Sequence, residues 1–388
     1  MVHAGARCFF TRKSIFVLRH FSRVGYSITF VARTDGAGQA FQVQPKVVTM
    51  KRIGLMGCGT VADYGHIPVI LNTPGLSLHA VFDPDAKRLK AVQEKFGLTN
   101  GFQDEAAFLA SGIDAVTVTS PAPCHLANIR AASLAGKHVL CEKPLGMTED
   151  ECREMIDCTA RAGVMLFTGF DYRFSPAALQ IRQWLRDGAI GDLRSLRLIY
   201  IWNCHGKRQR NDQGLLVENA RRQGRMDEGG PMVDCGVHQI DLARFWTGSE
   251  VQSWTAAGAW VDEYDAPDHM YLHMQHDNGA HSMVEISYSY CHTCQQPVNV
   301  FTYDLIGTKG LIRYDRNAKI LDMRNQDGVF TMPFAPEKNF AALYEHFRDA
   351  LAQGGSDVLP TGLDGLMAAK ISREATDALV AQCPRGSK

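Results

Sequence analysis

From residue 50 to about 168, short continuous apolar runs alternate with stretches in which apolar positions recur every third or fourth residue. The runs at 52–56, 77–83, 115–119, 138–141 and 165–168, with a short one near Phe102, predict strands. The periodic stretches at 61–71, 86–96, 105–109, 124–134 and 149–161 predict helices. Such alternation through short links implies a doubly wound parallel sheet with right-handed crossovers, its ligand lying beyond the carboxyl ends of the strands. The rhythm changes near Gly169. After a helical stretch at 177–186 come runs rich in β-branched and aromatic residues at 193–202, 251–261, 268–275, 282–289, 298–306, 310–315 and 319–324. Asp277-Asn278-Gly279, Gly307-Thr308-Lys309-Gly310 and Asp327-Gly328 punctuate them as turns. With few helices between, these strands imply a largely antiparallel sheet. One helix at 231–246 interrupts it, and two more at 339–352 and 364–381 close the chain, while 384–388 carry no pattern.

The first strand stops at Gly57-x-Gly59-x-x-Ala62, the turn and helix start of a dinucleotide-binding unit. Gly57 allows the turn, Gly59 lets the backbone approach a pyrophosphate, and Ala62 permits close packing of helix on strand. Thr60 and Val61 then offer the first helical amides to the phosphates. Asp83 ends the second strand about 20 residues on, where an acid accepts from both ribose hydroxyls and repels a 2′-phosphate. NAD is therefore expected over NADP, although Lys87 and Arg88 are near enough in sequence to reach such a phosphate. The fold class is α/β with α+β: a Rossmann doubly wound parallel sheet over 50–170, then an open, mostly antiparallel sheet over 171–383.

At 388 residues and 45% hydrophobic, the chain can bury a large core, and two domains are the default. Lys+Arg and Asp+Glu are both 41, so no global charge argues for nucleic acid or an acidic membrane. Seven basic residues and one acid precede Met50, leaving 34 basic and 40 acidic residues beyond it. Residues 1–49 read as a leader without elements of its own, either sequence upstream of a true start at Met50 or an Arg-rich targeting segment. No apolar run reaches the ~18–20 residues that a membrane span needs. Eleven scattered cysteines with no zinc-type ligand set point to reduced thiols in a cytoplasmic protein and to no bound metal.

Cys141-Glu142-Lys143-Pro144 closes a strand and so puts Lys143 at the ligand edge of the sheet. An ammonium there can donate to a substrate oxygen and stabilise developing charge, and a solvated lysine at a strand end fits equally well. Further on, Asp234, His238 and Asp241 fall at i, i+4 and i+7, a polar stripe beside apolar Val233, Val237 and Ile240. A histidine bracketed by carboxylates has a held orientation and a tunable pKa, as a general base requires. A capping Asp with a structural His is the competing reading.

From about Met50 to Leu379 the chain resembles the glucose–fructose oxidoreductase / inositol dehydrogenase / MocA family. Four motifs in order carry the resemblance: Gly57-x-Gly59-x-x-Ala62, Ser120-Pro121-Ala-Pro-Cys-His125, Glu142-Lys143-Pro144 and Asp234-x-Gly236-x-His238-x-x-Asp241. By resemblance Lys143 is the catalytic lysine, Asp234 and His238 flank the reacting carbon, and Ser120, Pro121, His125 and Glu142 line the cofactor cleft. Many relatives carry Asn or Thr where this chain has Pro123. The resemblance also implies a last helix that returns to the nucleotide domain, and an outer sheet face that builds homodimers or homotetramers.

The activity so implied is NAD(P)-dependent hydride transfer between nicotinamide and a secondary alcohol or ketone of a sugar, cyclitol or related polyol. Two rivals share the motifs: glycoside hydrolases that retain NAD and oxidise transiently, and sensors that bind nucleotide without turnover. Substrate contacts are expected from Arg173, Trp202, His205, Arg221 and Asp241. The segment 203–228, with six basic and four acidic residues, is expected to shape the pocket.

Overall fold

The computed structural model describes residues 16–21, 27–32, 46–202, 208–290, 294–296 and 298–382. Strands β1 (Phe16–Phe21), β2 (Ser27–Ala32) and β3 (Lys46–Val48) form a small antiparallel sheet in the segment where the pattern predicts no element. The nucleotide domain follows, with β4 (Lys51–Met56), β5 (Leu76–Phe82), β6 (Gly101–Phe102), β7 (Ala115–Val118), β8 (His138–Cys141) and β9 (Leu166–Thr168). All pair in parallel in the order β6-β5-β4-β7-β8-β9. The order reverses between β4 and β7, the switch point at which such sheets bind ligands. Alternation along β4 sends Ile53 and Leu55 to one face and Met56 to the other.

The second sheet is built from β10 (Leu193–Ile201), β13 (Val251–Ala259), β14 (His269–His276), β15 (His281–Ser287), β16 (Val300–Gly307), β17 (Gly310–Asp315), β18 (Ile320–Asn325) and β19 (Gly328–Thr331). Before β13 a two-stranded ribbon, β11 (Arg208–Arg210) with β12 (Leu216–Glu218), stands outside that sheet. The order is β13-β14-β15-β10-β16-β17-β18-β19, antiparallel except where β10 runs with β15. Its inner face buries Leu196, Leu198, Met270, Leu272, Phe301 and Tyr303 against helices Pro176–Arg186 and Val237–Thr247. Its outer face leaves Tyr271, Ile306 and Leu311 exposed.

Both C-terminal helices return to the nucleotide domain. Helix Phe340–Gln353 lays Leu343, Tyr344 and Phe347 on the Ile53/Leu55 face. Helix Gly362–Gln382 straddles the junction, with Leu366 and Ala369 in the nucleotide-domain core and Ile371, Ala375 and Leu379 in that of the large sheet.

The pattern misses β11, β12, β19 and helix Ala220–Asp227. That helix has no apolar stripe because its inward positions are Arg222 and Met226. Asn219 caps it, its side chain accepting from the amides of Arg221 (3.1 Å) and Arg222 (3.4 Å).

Candidate active site

A crevice of about 1320 Å³ opens between the carboxyl ends of the nucleotide-domain strands and the large sheet. Gly57, Gly59, Thr60, Val61, Asp83, Ser120, Pro121, His125, Glu142 and Lys143 all line it. Gly57 has φ +102°, and a Cβ there would sit 2.6 Å from the Ser120 amide nitrogen. At Gly59 a Cβ would meet nothing within 4 Å, so the backbone there faces open space. Asp83 is oriented by two amides: Cys58 donates to one carboxylate oxygen (2.8 Å) and Asp85 to the other (2.9 Å). His125 is buried between two loops, with Nε2 facing the Ser120 carbonyl (2.9 Å) and Nδ1 those of Pro144 and Leu145 (both 3.0 Å). Burial holds its pKa below the ordinary value against the pull of those carbonyls.

Glu142 and Lys143, adjacent in sequence, reach in different directions to two π-helical turns. One turn, Ala62–His66, follows the glycines, and the other, Met232–Gly236, precedes the helix bearing His238. Such turns gather at functional sites because they re-aim side chains. Glu142 meets His66 Nε2 at 2.8 Å, and His66 Nδ1 meets the Tyr344 hydroxyl at 2.7 Å. Burial works against the Glu142 charge, but His66 and Lys143 more than offset it and hold its pKa well below the usual range. Lys143, preceding a cis Pro144, donates from Nζ to the Asp234 carbonyl (2.8 Å) and carboxylate (2.9 Å). Asp234 also accepts from the Tyr288 hydroxyl, and Arg225 Nε lies 3.7 Å away. Burial opposes both charges of the Lys143–Asp234 pair, yet their attraction keeps both ionised, the lysine above and the acid below its ordinary pKa.

His238 is buried, 5% exposed, and lines the crevice. The Tyr172 ring stacks on it with centroids 4.0 Å apart, and Phe170 meets it edge-on at 5.8 Å. Burial, then the Lys143 charge, push its pKa well below the ordinary value, so the imidazole is neutral at physiological pH. The expected bracketing of His238 by carboxylates does not occur. Its Nδ1 has no hydrogen-bond partner among the described residues, Asp234 bonds Lys143, and Asp241 bonds Arg173. The π-helical turn is the reason, since its extra residue per turn takes Asp234 out of the 3.6-residue stripe.

Arg173 and Asp241, expected as substrate contacts, instead grip each other behind the crevice. The guanidinium bonds both oxygens of Asp241 (2.5 and 2.7 Å) and one of Asp364 (2.9 Å), which also receives Arg244 (2.8 Å). Trp202 and Arg221 do line the crevice, whereas His205 lies outside the described residues. Arg222, of the basic segment expected to shape the pocket, is wholly buried and donates to Tyr264, Asp262, Ser289 and the Tyr288 carbonyl. Among the described residues of that segment, Arg225 reaches Asp234. Tyr172, in the loop expected to supply pocket residues, lines the crevice; Asp171, Tyr200, Arg316 and Lys338 line it too, and the sequence pattern singles out none of these four. The signal available for Tyr200 is its i, i+2 relation to Trp202 on a β-strand end, and the two rings are stacked, 6.1 Å apart.

The open backbone at Gly59 and the amide-held Asp83 suit a dinucleotide, which Gly57, Gly59, Thr60, Val61 and Asp83 would hold. Comparison with known proteins agrees. Residues 51–170 match the model of an oxidoreductase family with an NAD-binding Rossmann fold, and residues 178–313 match the GFO/IDH/MocA C-terminal domain. D-apiose dehydrogenase of Paraburkholderia graminis is 29% identical over 304 residues, 76% of each chain. Myo-inositol 2-dehydrogenase of Thermotoga maritima is 26% identical over 340 residues, 84% of this chain and 96% of its own. The solved structure of a levoglucosan dehydrogenase with NADH and levoglucosan superposes with a TM-score of 0.73 at 23% identity, covering 86% of this chain and 98% of its own. Its likeness is one of fold. The chain belongs to the Gfo/Idh/MocA oxidoreductase family.

Proposed function

We propose that this protein is an NAD-dependent dehydrogenase acting on a secondary alcohol, or the matching ketone, of an uncharged sugar, cyclitol or related polyol. The observation that carries the reading is a neutral, ring-stacked His238 in one crevice with the charged Lys143–Asp234 pair and an amide-held Asp83. NAD, when bound, supplies a hydride acceptor. His238 takes the proton of the substrate hydroxyl, for which a neutral imidazole is the required form. Lys143 donates to the same oxygen and stabilises its developing negative charge. Asp234 keeps that lysine protonated and aimed, and Tyr172 fixes the plane of His238.

An uncharged substrate fits the pairing of three crevice cations, Lys143 with Asp234, Arg225 with Glu228 and Arg316 with Glu337, while a further one, Lys338, donates to the Tyr64 hydroxyl. D-apiose, inositol and levoglucosan, named for the relatives above, are uncharged polyhydroxyl compounds. The Tyr200–Trp202 pair offers an aromatic wall for the apolar face of a sugar ring.

The same reading places the protein in the cytoplasm, where the buried free thiols of Cys58, Cys141 and Cys152 stay reduced. It is a homo-oligomer joined through the outer sheet face carrying Tyr271, Ile306 and Leu311. The test is a panel of polyols, aldoses and glycosides supplied with NAD, followed by nicotinamide absorbance with product identification. Stoichiometric NADH and a keto product are expected. Glycoside cleavage without net NADH would replace this reading with hydrolysis, and nucleotide binding without turnover of any member would sink it.

A further inference from the structure

Asp171 opens the short helical turn Asp171–Phe174, where the chain leaves β9 to enter the second domain. Its side chain is 2% exposed, lines the crevice, and keeps Oδ2 without a hydrogen-bond partner among the described residues. The other carboxylates of the crevice each have one: Asp63 takes Lys95, Asp83 two amides, Glu142 His66, Glu228 Arg225, Asp234 Lys143, and Glu337 Arg316. Burial of a polar oxygen without a partner is unfavourable, so such a group persists where something outside the fold completes it. The neighbours of Asp171 locate it beside the reacting groups. Phe170 and Tyr172, on either side in sequence, both pack on His238.

We propose that Asp171 is a substrate-binding residue whose free carboxyl oxygen hydrogen-bonds a second hydroxyl of the polyol, beside the one that His238 and Lys143 engage. The inference rests on the dehydrogenase reading of the crevice and adds to it a requirement for two neighbouring hydroxyls. Burial, reinforced by the Glu142 carboxylate and opposed by Lys338 and Lys143, pushes the Asp171 pKa up to about 8. At neutral pH the group is therefore a carboxylic acid, able both to donate to a hydroxyl and to accept from one. A carbon bearing only hydrogen at that place leaves the acid unpaired, and a ketone or ether oxygen there could only accept from it, so monools and deoxy sugars are disfavoured.

The test compares wild type, Asp171→Ala and Asp171→Asn, each loaded with NAD, on a sugar turned over by the wild type and on its monodeoxy analogues. Asp171→Ala should raise KM roughly ten- to hundredfold with a much smaller change in kcat. Asp171→Asn, whose amide also donates and accepts, should recover most of that loss. One deoxy analogue, poor for the wild type, should be handled equally by wild type and Asp171→Ala. NADH binding, followed by fluorescence, should be the same in all three proteins, and Asp171→Asn should melt no lower than wild type. An unchanged KM in Asp171→Ala would overturn the inference while leaving the dehydrogenase reading intact. Weakened NADH binding would move Asp171 to the cofactor, and a much lower melting temperature for Asp171→Asn would make it a structural group. Failure of the wild type on every polyol would overturn the dehydrogenase reading and this inference together.

Discussion

The Tyr172 ring lies flat on His238, the two planes 7° apart and their centroids separated by 4.0 Å. Stacking leaves the ring edge, and with it the nitrogens, as the polar part of the imidazole. It also excludes water from one face, which favours the neutral form that burial and Lys143 already impose. Orientation by an aromatic face replaces the carboxylate clamp by which many catalytic histidines are held.

Lys143→Ala and His238→Ala should each lower kcat by about 10²–10⁴-fold, the usual range for proton transfer and charge stabilisation, with NADH affinity nearly unchanged. Because the His238 pKa is held well below its ordinary 6.5, kcat/KM should not fall as pH drops through 6.5. Steady-state kinetics from pH 5 upward test both statements. Retention of most activity by either alanine variant would remove that residue from the mechanism.

Arg173→Ala should destabilise the protein by about 3–5 kcal/mol, the cost of leaving a buried carboxylate without its partner. Asp241 would lose the guanidinium that bonds both its oxygens, whereas Asp364 would keep Arg244. A lowered denaturation midpoint with KM unchanged in the folded enzyme is expected. A raised KM with the midpoint intact would restore Arg173 to the substrate.

NADH should bind more tightly than NADPH at matched ionic strength. The gap should be at least about tenfold, since two like charges a few ångströms apart near a surface repel by more than about 1.4 kcal/mol. Asp83→Asn should narrow it, because the charge goes while an oxygen remains for the Cys58 amide. Fluorescence titration of both nucleotides decides the matter. Tighter NADPH binding by the wild type would show that Arg88, which lines the crevice, outweighs Asp83.

The chain begun at Met50 should match the full chain in melting temperature and turnover. Strands β1, β2 and β3 pair with one another and with no strand of the two larger sheets. A loss of several degrees on truncation would show that the leader packs on the body.

Stability should carry a signature of Asp171 in its pH dependence. The group titrates near 3.9 in an unfolded chain and at about 8 in the fold, so the native state alone holds this proton between those values. Its contribution is therefore complete below about pH 4 and is lost as pH rises through 8. Glu142 and Asp234, with lowered pKa values, act in the opposite sense and lose their contribution as pH falls below the carboxylate range. Asp171→Asn should accordingly gain in melting temperature over the wild type as pH rises from 5 to 8.5. A difference independent of pH would mean that Asp171 is ionised throughout.

The parallel sheet was legible because each strand is a short apolar run bounded by turn chemistry, and the glycine turn with Asp83 marked its ligand edge. The identities of Lys143, Asp234 and His238 as crevice residues were legible through motif resemblance. Their mutual geometry was not. A 3.6-residue period put Asp234, His238 and Asp241 on one stripe, and a π-helical turn at Met232–Gly236 breaks that period without changing composition. Arg173 carried no sign that its partners stand 68 and 191 residues away at Asp241 and Asp364. Helix Ala220–Asp227 escaped for a related reason, because its inward face is an arginine paid for by four distant polar groups. Asp171 was unreadable because nothing in its sequence neighbourhood tells that one oxygen is buried alone.

The return of the last two helices dictates an order of events during synthesis. The Ile53/Leu55 face of the nucleotide domain is covered by Leu343, Tyr344 and Phe347, residues translated nearly three hundred positions later. Tyr344 is also the group that meets His66, which in turn holds Glu142. A nascent chain carrying β4 to β9 alone thus has a complete set of strands and an apolar face only partly covered, by Ile67, Ile70, Leu89 and Val92, with its glutamate–histidine contact still lacking its far support. Until those residues are made, that face is a place for chaperones to bind and for copies of the chain to stick together.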